Sequence, residues 1–366
     1  MGKSKAKPIL LMAGGTGGHI FPALAVASLL QEKGEQVVWL GSSNSMESQR
    51  VPQAGIPFYE LSISGLRGKG VKTLALAPFK LVASCWQAIK ILRQIKPSKV
   101  IGFGGFASGP GGLAAWLLGI PLYVHEQNAL PGMTNKSLAL LARRVFTAFP
   151  QAFAGNNNKV SCVGNPVRAS LLNLPPPLER YAERKGPLRI LVVGGSLGAQ
   201  ILNTKLPEAL SLLAKDQLPL VRHQTGKNHQ ETTQALYENY PEVAKQVEVT
   251  RFIDDMAAAF SWADVVICRA GALTIAELAV VGVASVLVPF PFAVDDHQTH
   301  NAHFLADKQA ALLLPQTELT AAYLAEQLSG QLADRAYLAS MAEKAFQLAS
   351  RDASQQMLNT ILKDNQ

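Results

Sequence analysis

The sequence predicts an α/β protein of two domains, each a parallel β-sheet flanked by helices, and three observations predict it. Short β-rich runs alternate with helical patterns along the chain, the mark of βαβ units. A glycine-rich turn stands between strand and helix at the start of each half, at MAGGTGGH (12–19) and VVGGSLGAQ (192–200). Between the halves lies LNLPPPLERYAERKGP (172–187), rich in proline and charge, which reads as a linker. A chain of 366 residues is also longer than one ordinary core organises.

Taken in order, PILLMAGG (8–15) is a buried first strand and FPALAVASLLQEKG (21–34) the helix after it. EQVVWLG (35–41) and KVIGFGG (99–105) are further strands, the second followed by a helix at LAAWLLG (113–119). PLYVHEQ (121–127), a helix at NKSLALLARR (135–144) and VFTAF (145–149) complete the first half. The second half restarts with LRILVVGG (188–195), then has strands at LPLVRHQTG, VEVTRF, DVVICRAG and SVLVPFP, with a helix from Thr274 to Val281. The stretch SMAEKAFQLASRDASQQMLNTILK (340–363) reads as helical.

Bulk properties narrow the function. A formal charge of +8 points to an anionic partner, while only 7% aromatics and no basic run interleaved with them disfavour nucleic acid. Three cysteines, Cys85, Cys162 and Cys268, form no CxxC pair and read as reduced packing residues. The N-terminal lysines and apolar run imitate a signal peptide, but Gly14-Gly15 cut the run short. Val100 to Val124 lacks Asp, Glu, Lys and Arg, yet its seven glycines and two prolines describe strand, loop, helix and strand, not a membrane span. Ala270 to Val294 carries Glu277 and the run Pro289–Phe292 and is rejected as a span too.

Glycine-rich turns at 14–18, 102–105 with 109–112, and 194–198 each follow a strand and precede a helix. Backbone N–H groups and a positive helix end point outward there, which suits phosphate. Tight α/β turns need glycine as well, so one such turn alone is weak evidence. GGTGGH and GGSLGA do not have the G-x-G-x-x-G spacing, and no Walker lysine follows either, which disfavours a nicotinamide dehydrogenase and ATP hydrolysis. In CRAGALTIAELAVVG (268–282), the residues Gly271 to Thr274 would open a helix toward a diphosphate. Glu277 would either cap that helix electrostatically or take a pair of vicinal ribose hydroxyls.

Taken together, GGTGGHIFPALAVA, GFGGFASGPGG, HEQNALPGMTNK, VGNPVR, GGSLGAQILN, RAGALTIAEL and DDHQTHNA span the chain in that order. In these segments it resembles the bacterial undecaprenyldiphospho-muramoylpentapeptide β-N-acetylglucosaminyltransferase family, whose members have the GT-B fold of two Rossmann-like domains facing across a cleft. The resemblance implies inverting transfer of N-acetylglucosamine from UDP-N-acetylglucosamine (UDP-GlcNAc) to the C4 hydroxyl of the muramoyl sugar of lipid I, giving lipid II for peptidoglycan. It implies an acceptor-side domain over 1–165, a donor domain over 166–340, and a C-terminal helix at 341–366 returning to the first domain.

On the donor side the resemblance implies contacts from Arg168 and Ser196 to the diphosphate, and Ile253 to uracil. Ala272, Leu273 and Thr274 would line the phosphates, Glu277 would hold the ribose and Gln298 the GlcNAc hydroxyls. Asn128, Thr16, Gly17 and Gly18 would reach the donor from the first domain. Gly14, Gly15, Gly104, Gly105 and Ser108 are expected on the acceptor side. His19 is the first candidate for the catalytic base, since its unperturbed proton affinity suits the work, and Glu126 is the second. Phe106 stands where the family more often has tyrosine, so no phenolic relay operates there.

Asp254-Asp255 and Asp295-Asp296 are adjacent pairs whose carboxylates diverge, unlike a DxD metal pair, so the sequence predicts no required metal or cofactor. The segment 65–90 mixes Lys69, Lys72 and Lys80 with Leu76, Phe79 and Trp86, a composition suited to anionic headgroups; the alternative is a helix packing inward. The expected partners are UDP-GlcNAc, lipid I, anionic inner-membrane lipids and other cell-wall synthesis and division proteins, at the cytoplasmic face of the inner membrane. The rival readings are another UDP-sugar GT-B enzyme with a different lipid or small-molecule acceptor, and a non-catalytic envelope scaffold binding anionic lipid.

Overall fold

The computed structural model describes residues 7–63, 77–153 and 158–364. The chain divides into two compact units, Met1–Arg168 with Asp352–Gln366, and Ala169–Arg351.

The first unit holds a seven-stranded sheet of order β3-β2-β1-β4-β5-β6-β7, every pairing parallel. Its strands are β1 (Ile9–Met12), β2 (Val37–Ser42), β3 (Phe58–Leu61), β4 (Lys99–Gly102), β5 (Leu122–Glu126), β6 (Arg144–Thr147) and β7 (Val160–Cys162). Strands β1, β2, β4 and β5 are buried throughout, as expected of parallel strands covered on both faces. The order reverses direction beside β1, and the loops after β1 and β4 meet at that switch point.

The second unit repeats the plan with six parallel strands in the order β10-β9-β8-β11-β12-β13. They are β8 (Arg189–Val193), β9 (Leu220–Gln224), β10 (Val247–Thr250), β11 (Val265–Cys268), β12 (Ala284–Leu287) and β13 (Leu312–Leu313). Here the switch point lies between β8 and β11, where the GGSLG loop and the RAGALT turn emerge.

Two sequence expectations change. The proline-rich seam is not a loose linker: Ala169–Leu172 and Pro177–Ala182 are short helices. Tyr181 is buried with its hydroxyl on the carbonyl of Asp264, and Arg180 donates to the carbonyl of Val281 at 2.6 Å. Apolar and hydrogen-bonding partners on the second unit therefore override the local composition. The C-terminal stretch is two helices, Arg335–Gln347 and Ala353–Lys363, and the division falls between them and not at 340/341. Leu338, Met341 and Ala342 belong to the core of the second unit, whereas Met357, Leu358 and Ile361 fill that of the first. The buried Lys99 ammonium donates to the carbonyl of Ile361, and Asp364 pairs with Arg143 at 3.3 Å.

Candidate active-site residues of the two units

Loops at the carboxyl ends of β1, β4 and β5 assemble the first set of residues. After β1 the chain turns at Gly14-Gly15 and enters the helix Gly17–Glu32. The first intrahelical bonds are those of the His19 and Ile20 N–H groups to the Thr16 carbonyl, so the Gly17 and Gly18 N–H groups precede them. His19 is half-buried, and its Nδ1 lies 3.1 Å from the Gly14 carbonyl oxygen. A carbonyl offers only lone pairs, so Nδ1 carries the proton and Nε2 is left as the basic nitrogen. That edge of the ring lies against Gly104: a Cβ on Gly104 would stand 3.2 Å from Nε2.

Gly105 makes the approach of the two glycine loops possible. A Cβ there would lie 2.3 Å from the Gly14 oxygen, and its φ of +87° disfavours any other residue. Ser108, expected to face the acceptor, is fully buried with its hydroxyl 2.7 Å from the Gly104 carbonyl and 3.1 Å from that of Met12. It ties the loops together. Glu126 is likewise engaged: Oε1 accepts from the Asn128 N–H and Nδ2, and Oε2 from the Gly132 N–H and Asn135 Nδ2, at 2.9–3.2 Å. A buried carboxylate with four donors on it ties the 127–132 loop to the helix Met133–Leu141 and has little capacity left for a substrate proton. Arg168 closes the first unit, not the second, with its guanidinium 5.2 Å from the Phe21 ring centre.

Sequence reasoning missed four residues here. The fully buried Glu47 accepts the Gly15 N–H at 3.3 Å and the Ser42 N–H at 3.2 Å, so Gly15 turns its donor inward and not toward a ligand. Trp39 donates Nε1–H to the Ala13 carbonyl at 3.1 Å, and Asn135 links Glu126 to the His125 carbonyl. His125 is buried against Gly164, and burial pushes its imidazole down to about 4, so it is neutral at pH 7.

In the second unit Ser196 is exposed at the tip of the GGSLG turn. Gln224 grips that turn from below: its Oε1 accepts the Gly195 N–H at 3.0 Å, and its Nε2 donates to the carbonyls of Gly195 and Arg251. A buried chain runs behind it in one direction. Asn203 Nδ2 donates to the Thr225 carbonyl, so its Oδ1 accepts Nε2–H of His223, whose Nδ1 accepts the Tyr237 hydroxyl proton at 2.8 Å. Burial holds the His223 imidazole down to about 3.

The helix Ala272–Val281 is capped by Gly271, and its first bond runs from the Ile275 N–H to the Gly271 carbonyl at 3.0 Å. Residues 272–274 therefore form its positive end. Glu277 lies beyond the first turn, which removes the capping reading. It is buried close enough to Cys268 that its charge joins burial in pushing that thiol up to about 12. Ile253 is half-buried, and Gln298 Oε1 accepts the Phe290 N–H at 2.9 Å. Asp255 caps the helix Met256–Trp262 through the Ala258 N–H. Among the described residues no group of three or more His, Cys, Asp or Glu side chains is placed to hold a metal ion.

On the helix Ala77–Ile95, Ser84, Ala88 and Leu92 face inward. Phe79 and Trp86 are 74% and 60% exposed, and Val82 and Lys80 are exposed as well. Lys90 stands over the Trp86 ring at 5.1 Å. Lys69, Lys72 and Leu76 lie outside the described residues. Among the described residues no helix is long and apolar enough to cross a membrane.

Comparison with known proteins gives the family. Residues 9–147 match the glycosyltransferase family 28 N-terminal domain and residues 189–357 its C-terminal domain. The chain is 53% identical to the UDP-N-acetylglucosamine–N-acetylmuramyl-(pentapeptide) pyrophosphoryl-undecaprenol N-acetylglucosamine transferase of Nitrosomonas europaea, covering 94% of this chain and 96% of that one. It is 52% identical to the Cellvibrio japonicus enzyme of the same name, over 98% and 99%. The crystal structure of Acinetobacter baumannii MurG superposes with a TM-score of 0.82 at 45% identity, over 98% of this chain and 99% of that chain. A UDP-GlcNAc 2-epimerase from Neisseria meningitidis, 16% identical with a TM-score of 0.66, shares the fold alone. With both domains matched and half its residues identical to theirs, the chain belongs to glycosyltransferase family 28, as a GT-B member of the pyrophosphoryl-undecaprenol N-acetylglucosamine transferases.

Proposed function

We propose that the chain transfers N-acetylglucosamine from UDP-GlcNAc to the muramoyl C4 hydroxyl of lipid I, with His19 as the base. The observation that carries the role of His19 is its Nδ1 contact to the Gly14 carbonyl, which presents Nε2 beside Gly104. Nε2 takes the hydroxyl proton while the oxygen forms its bond to C1 of GlcNAc. The C1–O bond to UDP breaks on the opposite face, and its electron pair leaves on the diphosphate. Glu126 shapes the loop that carries Asn128 and does not act as the base.

On the second unit Glu277 takes the ribose hydroxyls, the Ile253 backbone holds uracil, and Ser196 and the 272–274 helix start meet the diphosphate. Loss of one preorganised contact of this kind costs about 3 kcal/mol in the transition state. Gln298, its oxygen held by Phe290, turns its amide donors to the GlcNAc hydroxyls. Gly17 and Gly18 offer their N–H groups at the start of the first helix, and Thr16, exposed beside them, is within the same loop. The stripe of Phe79, Val82 and Trp86 flanked by Lys80 and Lys90 docks on anionic lipid, in keeping with an acceptor carried by undecaprenol.

Radiolabel transfer from UDP-GlcNAc to lipid I tests the activity, with transfer expected to persist in EDTA. Absence of transfer returns the rival acceptors. Sedimentation with anionic and neutral vesicles tests the docking face, with binding expected to the anionic ones.

A further inference from the structure

Gly14 C=O and Gly15 N–H are the two ends of one planar peptide group. Its oxygen lies 3.1 Å from His19 Nδ1, and its N–H points at Glu47 Oε2, 3.3 Å away. We propose that Glu47 is a positioning residue for His19, acting through this peptide group as a carboxylate–peptide–histidine relay. The inference rests on the reading of His19 as the base and assigns it a partner.

Several observations argue for more than a loop brace. Glu47 is fully buried, and a buried carboxylate is costly where a neutral acceptor could hold the same N–H. It is not the cap of its own helix, Met46–Gln53, because Ser45 and Ser48 form the capping box there. The loop is shaped around it: a Cβ on Gly14 would lie 2.4 Å from Glu47 Oε1 and would displace the carboxylate from where it stands. The preceding peptide is pinned from its oxygen end by Trp39 Nε1 on Ala13, which resists rotation of the loop away from this geometry.

The consequence is electrostatic. A charge-assisted bond at the N–H end polarises the peptide and makes its oxygen a stronger acceptor. That fixes the Nδ1–H tautomer and orients the ring. When Nε2 takes the substrate proton, the imidazolium faces a polarised carbonyl with a full negative charge one peptide away. Glu47 itself keeps its charge, and the proton stays on His19. The arrangement does for this base what a directly bonded aspartate does in a hydrolase triad.

The test compares Glu47→Gln, which keeps the side-chain volume, removes the charge and leaves one acceptor oxygen for the Gly15 and Ser42 N–H groups, in the wild-type and His19→Ala backgrounds. The expected result is a fall in kcat of about 10- to 100-fold, with KM for UDP-GlcNAc within about twofold. In the His19→Ala background the same change should cost less than about threefold, because the residue it acts through is gone. A folded variant with kcat within about twofold of wild type, or an equal loss in both backgrounds, overturns the relay. A variant that does not fold leaves a measurement on the wild-type protein. Above about pH 8, where an ordinary imidazole is neutral, the ¹⁵N spectrum of labelled histidine should show His19 protonated at Nδ1. Protonation at Nε2 overturns the proposal. Near-wild-type turnover in His19→Ala alone would defeat the base reading and the relay with it; loss of turnover there with Glu47→Gln unaffected defeats the relay only.

Discussion

The amide of Asn135 donates to Oε2 of Glu126 at 2.9 Å, completing four donors on one buried carboxylate. Glutamine at 126 would turn an amide toward at least one of those donors. Glu126→Gln should therefore lower the unfolding free energy by about 2 kcal/mol, since an unsatisfied buried polar group costs roughly 1–3 kcal/mol. Urea titration measures it, and an unchanged midpoint and slope would remove the organising role.

Gly105→Ala tests the meeting of the two glycine loops. The new Cβ would lie 2.3 Å from the Gly14 oxygen at a φ of +87°, so the loops must part and carry the His19 ring with them. A displacement of about 1 Å at a reacting group costs about 100-fold in turnover. UDP affinity, read by calorimetry, should stay within about threefold, because the residues assigned to the donor lie mainly on the second unit.

Much of this was legible in the sequence. Strand runs, glycine turns and the 272–281 helix follow from periodicity and turn chemistry, and His19, Gly104 and Glu277 stand out as unusual residues in the turns and helices that follow β1, β4 and β11. What could not be read depends on long-range packing. Glu47 sits in the polar run GSSNSMESQR, which looks exposed, and meets Gly15 only because β2 lies beside β1. Gln224 and Gly195 are brought together in the same way by the β8–β9 pairing. The proline-rich seam misled because composition carries no record of the surface that Arg180 and Tyr181 find.

Acid should weaken the fold through two buried imidazoles. His125 and His223 are held down to about 4 and about 3 from an ordinary 6.5. Below pH 6.5 the unfolded chain gains protons that the native one refuses, so stability is full above that value. It falls as pH drops toward 4, by up to about 1.4 kcal/mol per pH unit for each histidine. Denaturant midpoints between pH 7 and pH 4.5 should show this slope, and His223→Gln should flatten it.

Glu277→Ala should weaken UDP binding by about tenfold or more, as expected for loss of a hydrogen bond to a charged group. The variant should also lose the preference for UDP over its 2′-deoxy analogue. Retained discrimination would show that another group reads the ribose.

The central claim is that His19 is the base, and His19→Ala tests it most directly when turnover and UDP affinity are measured on the same preparation. The account predicts a fall in kcat of about 100-fold or more, in the range of general-base catalysis, with the UDP dissociation constant within about threefold of wild type. Turnover within a few-fold of wild type would contradict it.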